Sequence, residues 1–490
     1  MIRVGAVVLA LLYCGLSQAT NLSPRALDQI PLHVVPSLTL ERAQSAMPET
    51  RNDGVIQLAV PVEMALSLDD GVWASEGDQM VWRLRVYSTG ATLMMVGLDT
   101  FELPDSASFW ISDINGGTRH GPLTSSQRAA DGSFWSPMVP GEEALLELRV
   151  AAAEKGKADL RVTAVGHGVL PLSAGQVQAK AAGACNIDAA CETDAGWQDQ
   201  VRSVVLVQVG TTGCSGAMVN STANDNRPYI LTANHCGIRS ANAGNMTAYF
   251  NYQRSFCGGA NDANLGQAVT GATHRFSQAL SDHTLVELNS APPLSYGVYF
   301  AGFDADASAL PQSGRGIHHP AADRKSISTY NTAATKERIN LQGVTVDAFR
   351  VVWSAGVTEQ GSSGSGLWNQ NRKIVGVLSG GASTCGGGLL GLDPPSQGPD
   401  FYGRLEIAWS AGISAFLDPG SSGLRNSTGR NQTAGGGTPT PTPAPTPTPT
   451  PPAPTPTTAP GGGGGGGALG GGLVLAMLLA GWLRRARRTG

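Results

Sequence analysis

Charge is what this sequence has least of. Asp, Glu, Lys and Arg make up 14% of its 490 residues and the formal net charge is only −4, whereas ordinary globular domains carry about 25% charged residues. Such a chain has no general pull on a phosphate backbone, so no nucleic-acid partner is expected. Sustained helical patterns are also scarce, and 64 Gly with 30 Pro argue against a helical bundle. No apolar run reaches the roughly 20 residues of a permanent membrane span. Cysteine is absent from residues 15–184, so whatever folds there does so without disulfides. What remains is a chain long enough for about two to four domains, dominated by turn residues and short apolar stretches.

Both ends read as addresses. Residues 1–19 place Arg3 before an apolar run, Val4 to Leu12, and close on Ser17-Gln18-Ala19, the order of a secretory signal peptide. Cys14 goes with it, and the bulky Tyr13 before it argues against a lipid-bearing cysteine. Six cysteines are then left in an oxidising compartment, an even number that suggests three disulfides. Thr438 to Pro460 is a Thr-Pro repeat holding 11 of the 30 prolines, expected as an extended spacer within a Gly/Thr/Pro-rich linker over 421–467. Residues 468–490 join a short apolar stretch to the cluster Arg484-Arg485-Ala486-Arg487-Arg488. That order resembles the GlyGly-type C-terminal sorting tails of Gram-negative bacteria; a plain membrane anchor is the alternative. It implies a signal peptidase and a sorting protease as processing partners, membrane attachment at the C-terminus, and export through the periplasm to the surface or medium.

Two globular segments lie between. In 20–180, Trp82, Leu84 and Val86 alternate with Arg83, Arg85 and Tyr87, and Leu146, Leu148 and Val150 repeat the pattern before Leu160 and Val162. With Asn115-Gly116-Gly117 and Asp131-Gly132 as turns, this predicts an antiparallel β-sandwich-like domain, a propeptide or binding module without catalytic residues. Residues 181–420 hold all six cysteines and again read as short strands.

The chemistry sits in three stretches of that second segment. Tyr229 to Ala233 is an apolar strand that runs into Asn234-His235-Cys236, a rigid place for a general base. Ser281-Asp282 opens the apolar strand His283 to Leu288, where a buried carboxylate can hold a histidine in one tautomer. Gly361-Ser362-Ser363-Gly364-Ser365-Gly366 is a glycine-framed turn that can expose a serine hydroxyl and aim the N–H groups of Gly361 and Ser363 at an oxyanion. Alone, a Gly-Ser run is most often a linker and a His-Cys pair structural. The order His, Asp, Ser over residues 235–363 is that of the chymotrypsin-type triad.

On those residues the segment clearly resembles the trypsin/chymotrypsin superfamily. Cys185-Asn186-Ile187-Asp188, Val219 to Asp225, Gly356-Val357-Thr358-Glu359 and Asp400-Phe401-Tyr402-Gly403-Arg404 narrow the resemblance to secreted bacterial lysyl endopeptidases. It implies an all-β chain with a trypsin-like double β-barrel in 181–420. In it His235 would be general base, Asp282 its orienting carboxylate, Ser363 the nucleophile, and Asp400 the substrate-binding carboxylate of the S1 pocket. It also implies the pairings Cys185–Cys385, Cys191–Cys257 and Cys214–Cys236, and propeptide cleavage after Lys180. The implied activity is hydrolysis of proteins or peptides after Lys, with Arg left open, by a monomer needing no metal or cofactor. A catalytically silent adhesin or binding module is the rival reading, which the intact triad opposes.

Two departures from those families stand out. Ser362 occupies the place of the aspartate that binds a new N-terminus in trypsin, so that switch is absent. Ser379 stands where the lysyl enzymes have a histidine, and no counterpart of their stacking tryptophan is found. His318-His319-Pro320 is not expected to bind metal, since neighbours on a strand point to opposite faces. Trp353 and Trp409 read as core or pocket wall.

Overall fold

The computed structural model describes residues 24–38, 54–168, 182–259, 262–306, 308, 310–341, 343–385 and 396–434. The signal segment, Lys180 and the Thr-Pro tail lie outside these residues, and no described helix is long and apolar enough to cross a membrane.

The N-terminal segment is a sandwich of two sheets. One runs in the order Leu32–Val34, Gln79–Tyr87, Glu143–Ala151, Ser108–Asp113, Arg119–Leu123, and the other Val139–Pro140, Leu93–Glu102, Asp159–Gly168, Ala59–Ser67. Alternation decides which side chains meet between the sheets: Trp82, Leu84, Val86, Leu146, Leu148 and Val150 face Met94, Val96, Phe101, Leu160 and Val162 in one buried core. On the other face of the first sheet the carboxylate of Glu147 is nearly enclosed. It accepts from Arg83 at 2.7 Å, Arg119 at 3.0 Å and Arg149 at 2.8 Å, the pairing that a buried charge requires.

The second segment is also nearly all β, built on two curled sheets. One orders its strands Ala268–Thr270, Thr247–Phe250, Val204–Val209, Thr212–Val219, Tyr229–Ala233, His283–Leu288, Ala272–Gln278. The other runs Ile187–Asp188, Ser326–Tyr330, Gly314–His318, Gly366–Asn369, Ile374–Thr384, Ser396–Arg404, Val344–Val351, Thr335–Leu341. Val205, Leu231 and Leu285 of the first share one core with Ile317, Trp368 and Val377 of the second. The fold is all-β, as the strand patterns imply.

The two segments are not beads on a string. Leu58, Met95 and Met138 of the N-terminal segment and Leu206, Tyr249 and Tyr252 of the second form one buried apolar cluster. Met138 N–H donates to Tyr249 Oη at 2.7 Å and Gln208 Nε2 to the Ser136 carbonyl at 2.9 Å. At the other end, residues expected to begin the linker are part of the fold: Asn426–Ser427 pairs with Phe303–Asp304, and Arg430–Asn431 with Tyr299–Phe300.

Candidate active site

Each candidate triad side chain lies in a short turn just outside a strand. All five residues of Tyr229–Ala233 are buried, which fixes the strand, and one 3-10 turn, Asn234–Cys236, follows before Gly237 stops it at φ +79°. His235 is thus held on a short rigid spur. Asp282 lies in the turn before His283–Leu288 with φ +52°, a conformation an aspartate tolerates better than most residues. It grips the spur three times. Its carbonyl accepts Asn234 N–H at 2.9 Å, its Oδ1 accepts His235 N–H at 2.9 Å, and its Oδ2 lies 2.7 Å from His235 Nδ1. With Nδ1–H donated to the carboxylate, Nε2 keeps the lone pair and can take a proton.

Ser363 lies in a turn where glycine is mandatory on both sides. Gly361 has φ +87° and a Cβ there would run into Ala322 N and the His319 carbonyl; Gly364 has φ +81° and a Cβ would meet Thr232 Oγ1 and the Ser215 carbonyl. Ser215 N–H donates to the Ser363 carbonyl at 2.8 Å, and Gly364 N–H to the Leu378 carbonyl at 2.9 Å. The turn is therefore stitched to one strand of each curled sheet. The disulfide Cys214–Cys236 ties the His235 spur to the strand Thr212–Val219; Cys185–Cys385 and Cys191–Cys257 are the other two bridges.

A segment of the N-terminal region passes through this site. A Cβ built on Gly54 would strike Ser363 Oγ and come within 3.4 Å of His235 Nε2, so the hydroxyl and the imidazole converge on one point beside Gly54. The Gly54 carbonyl accepts Gly361 N–H at 2.9 Å. From there Ile56–Gln57 runs antiparallel to Thr212–Val219, with Ile56 opposite Gly213 and Gln57 opposite Thr212. Leu58 N–H then donates to the Thr211 carbonyl at 2.8 Å. The donor expected to face an oxyanion thus holds a peptide carbonyl next to the serine.

Asp400 sits at the end of a second line of contacts from the same turn. The strand Ile374–Thr384, whose Leu378 carbonyl anchors Gly364, pairs with Ser396–Arg404 so that Gly381 faces Asp400. A Cβ on Gly381 would collide with the carboxylate. Asp400 is fully buried, and its Oδ2 accepts from Trp353 Nε1 at 2.6 Å, Thr358 Oγ1 at 2.7 Å and Ser383 Oγ at 2.7 Å, while Oδ1 accepts Ser383 N–H at 3.1 Å. These donors are all neutral. Burial pushes its carboxyl above the usual range, and the bonds from Ser383, Trp353 and Thr358 oppose that shift. Arg404 turns away to Glu406 at 2.9 Å. Trp353 belongs to the carboxylate's first ring of contacts, while Trp409 packs on Phe303 at 5.5 Å between ring centres. Ser379 is buried beside Gly403.

His235, Asp282, Gly361 and Ser363 thus come together, with Asp400 joined to them through one strand. Gly54 was not legible in the sequence: an Asp-Gly pair before alternating apolar residues looks like any strand start. Among the described residues no cluster of His, Cys, Asp or Glu has the spacing of a metal site.

Known proteins share sequence with this region. Residues 179–403 match the family described as lysyl endopeptidase, C-terminal domain. Lysyl endopeptidase from Pseudomonas aeruginosa is 31% identical over 310 residues, 58% of this chain and 63% of that protein. The chain therefore spans under two thirds of that relative's length. Among solved structures, the Rv3671c protease from M. tuberculosis in its active form is similar at a TM-score of 0.30 and 16% identity, over 49% of this chain and 94% of its own. The MamO protease domain from Magnetospirillum magneticum gives 0.29 and 13%, over 44% and 98%. Residues 179–403 are thus similar to the C-terminal domain of lysyl endopeptidases.

Proposed function

We propose that this chain is an exported serine endopeptidase that cleaves proteins and peptides on the carboxyl side of basic residues, Lys foremost. The observation that carries it is the convergence of His235 Nε2 and Ser363 Oγ beside a peptide carbonyl held by Gly361 N–H, with Asp282 bound to both Nδ1 and N–H of the histidine. In this reading Nε2 takes the Ser363 hydroxyl proton as Oγ attacks the scissile carbonyl carbon. The charge that develops on the carbonyl oxygen is met by the N–H groups of Gly361 and Ser363. The imidazolium, stabilised by Asp282, then gives its proton to the leaving amine, and a water repeats the cycle on the acyl-enzyme.

The buried carboxylate of Asp400 supports the preference for a cation. Its neutral hydrogen-bond donors stabilise the charge without cancelling it, so an incoming ammonium is the partner it lacks. The silent-adhesin alternative offers no reason for Asp282 to fix the histidine tautomer.

The same reading makes 20–180 a propeptide, released by a cut after Lys180 in the small-residue stretch before Cys185, with 1–19 as export signal and 468–490 as sorting tail or anchor. Gly54 supports it, because a segment lying on the nucleophile has to leave before substrate enters. The decisive experiment is labelling with an organophosphorus inhibitor: modification at Ser363, with loss of Lys-peptide hydrolysis, is the expected result. A protein inert to the reagent after removal of residues 20–180 would refute the reading.

A further inference from the structure

The missing aspartate before the nucleophile leaves a question that the structure answers. In the trypsin type a buried ion pair at that position shapes the oxyanion turn; here the residue is Ser362, fully buried. Its Oγ lies 2.8 Å from Nδ1 of His318, the last residue of the strand Gly314–His318. His318 is also fully buried, and its Nε2 lies 3.2 Å from Ser328 Oγ.

Proton counting fixes the direction of every bond in this chain. Ser328 Oγ–H donates to the Val357 carbonyl at 2.7 Å, so its single proton is used and it accepts from His318 Nε2–H. Nδ1 is then the lone pair of a neutral imidazole, and Ser362 Oγ–H donates to it. Ser362 Oγ in turn accepts Glu359 N–H at 3.2 Å. Burial drives the His318 imidazole down to about 3, so it stays neutral across the working range. A neutral, completely satisfied chain can be buried at little cost, unlike a lone charge.

We propose that His318 is the positioning residue of the oxyanion turn: by holding the Ser362 side chain inward it keeps Gly361 N–H turned toward the reacting carbonyl, with no new N-terminus needed. The proposal rests on the serine endopeptidase reading above and deepens it. It explains how Gly361 N–H already meets the Gly54 carbonyl in a chain whose residues 20–180 are still attached. Latency in the precursor is then occupation of a finished site, not an unformed one.

The test uses the mature enzyme and three variants: His318→Leu, His318→Asn and Ser362→Ala. Turnover is expressed per active site titrated with the organophosphorus reagent, and S1 occupancy is read separately as the inhibition constant of a simple alkylammonium ion. His318→Leu should lower kcat by about 10²-fold, the scale of losing one oxyanion donor, with alkylammonium inhibition unchanged. His318→Asn, whose Oδ1 can stand in for Nδ1, should recover most of the loss. Ser362→Ala removes only a hydroxyl, so it reports even if His318→Leu fails to fold, and it should fall in the same direction. A kcat per titrated site within threefold of wild type in the folded variants overturns the proposal. Wild-type enzyme that cleaves no Lys peptide would instead overturn the endopeptidase reading, and the proposal with it.

Discussion

The carbonyl of Gly54 and the N–H of Gly361 are joined at 2.9 Å, across 307 positions of sequence. On the proposed endopeptidase reading, the contact places an internal peptide group where a substrate's scissile carbonyl would lie, yet in an unproductive shape. Gly54 has φ +72°, and its missing side chain would point at Ser363 Oγ. No lysine side chain could be presented from that position. On that reading the segment acts as a plug.

The plug should loosen when Gly54 gains a side chain. Alanine at this φ costs about 1–2 kcal/mol and its methyl group meets Ser363 Oγ. With Lys180→Gln added to keep the N-terminal domain attached, Gly54→Ala should hydrolyse a small Lys ester about tenfold faster than the same precursor with Gly54. Continuous ester assays on the two purified precursors decide it; equal rates would show that Gly54 does not gate the site.

The triad predictions are sharper. Ser363→Ala and His235→Ala should each abolish peptide hydrolysis while leaving three disulfides and secretion intact, since the triad acts as a unit. Asp282→Asn should lower kcat by about 10⁴-fold, the loss known for the equivalent change in chymotrypsin-type enzymes, because an amide cannot hold the Nδ1–H tautomer. A Ser363→Ala enzyme with wild-type turnover would end the assignment.

These residues were legible because their chemistry is written in short runs: an apolar strand ending in Asn234-His235-Cys236, and a glycine-framed serine. The sandwich was legible for a similar reason, since Trp82, Leu84 and Val86 alternate with polar neighbours and do line its core. What stayed hidden depends on partners far along the chain. His318 looked like half of an idle pair until Ser362 and Ser328 closed around it. Trp353 read as core or wall, and only the fold reveals that its Nε1 supports Asp400. Residues 426–433 looked like linker because their strands are polar and held by backbone pairing, with Asn220 Nδ2 donating to the Thr428 carbonyl at 2.8 Å.

Maturation gives a separate prediction. A cut after Lys180 frees the covalent link, but the apolar cluster of Leu58, Met95, Met138, Leu206 and Tyr249 remains. Burial of one such side chain is worth about 1.5–3 kcal/mol, so the severed domain should stay bound and inhibitory until diluted or digested. Leu58→Ser in the precursor should shorten the lag before activity appears after cleavage. Size-exclusion chromatography beside N-terminal sequencing checks this: a mature chain starting at Ala181 should co-elute with 20–180. A fully active enzyme that begins at Thr20 would make the segment a permanent domain.

The last prediction concerns specificity and turns on Asp400. An ordinary loop ion pair with Arg404 would have explained a carboxylate here, but Arg404 pairs with Glu406. Asp400 instead collects neutral donors from Trp353, Thr358 and Ser383 inside the protein. Removing one member of a buried charged pair costs about 3–5 kcal/mol, so Asp400→Asn should reduce kcat/KM for Lys substrates by two or more orders of magnitude. Turnover of an uncharged ester should change far less. The pH dependence has its own sign. Because burial raises this carboxyl, acidification protonates it before an exposed aspartate and removes the partner of the incoming ammonium. KM for Lys substrates should therefore climb as pH falls through the raised Asp400 titration, and Asp400→Asn should abolish that climb. Cleavage-site profiling on a denatured proteome tests the preference directly: a wild-type bias toward apolar or acidic residues before the cut would refute the role of Asp400. Cuts after Lys alone or after both Lys and Arg would show whether a serine at position 379 leaves room for the larger guanidinium.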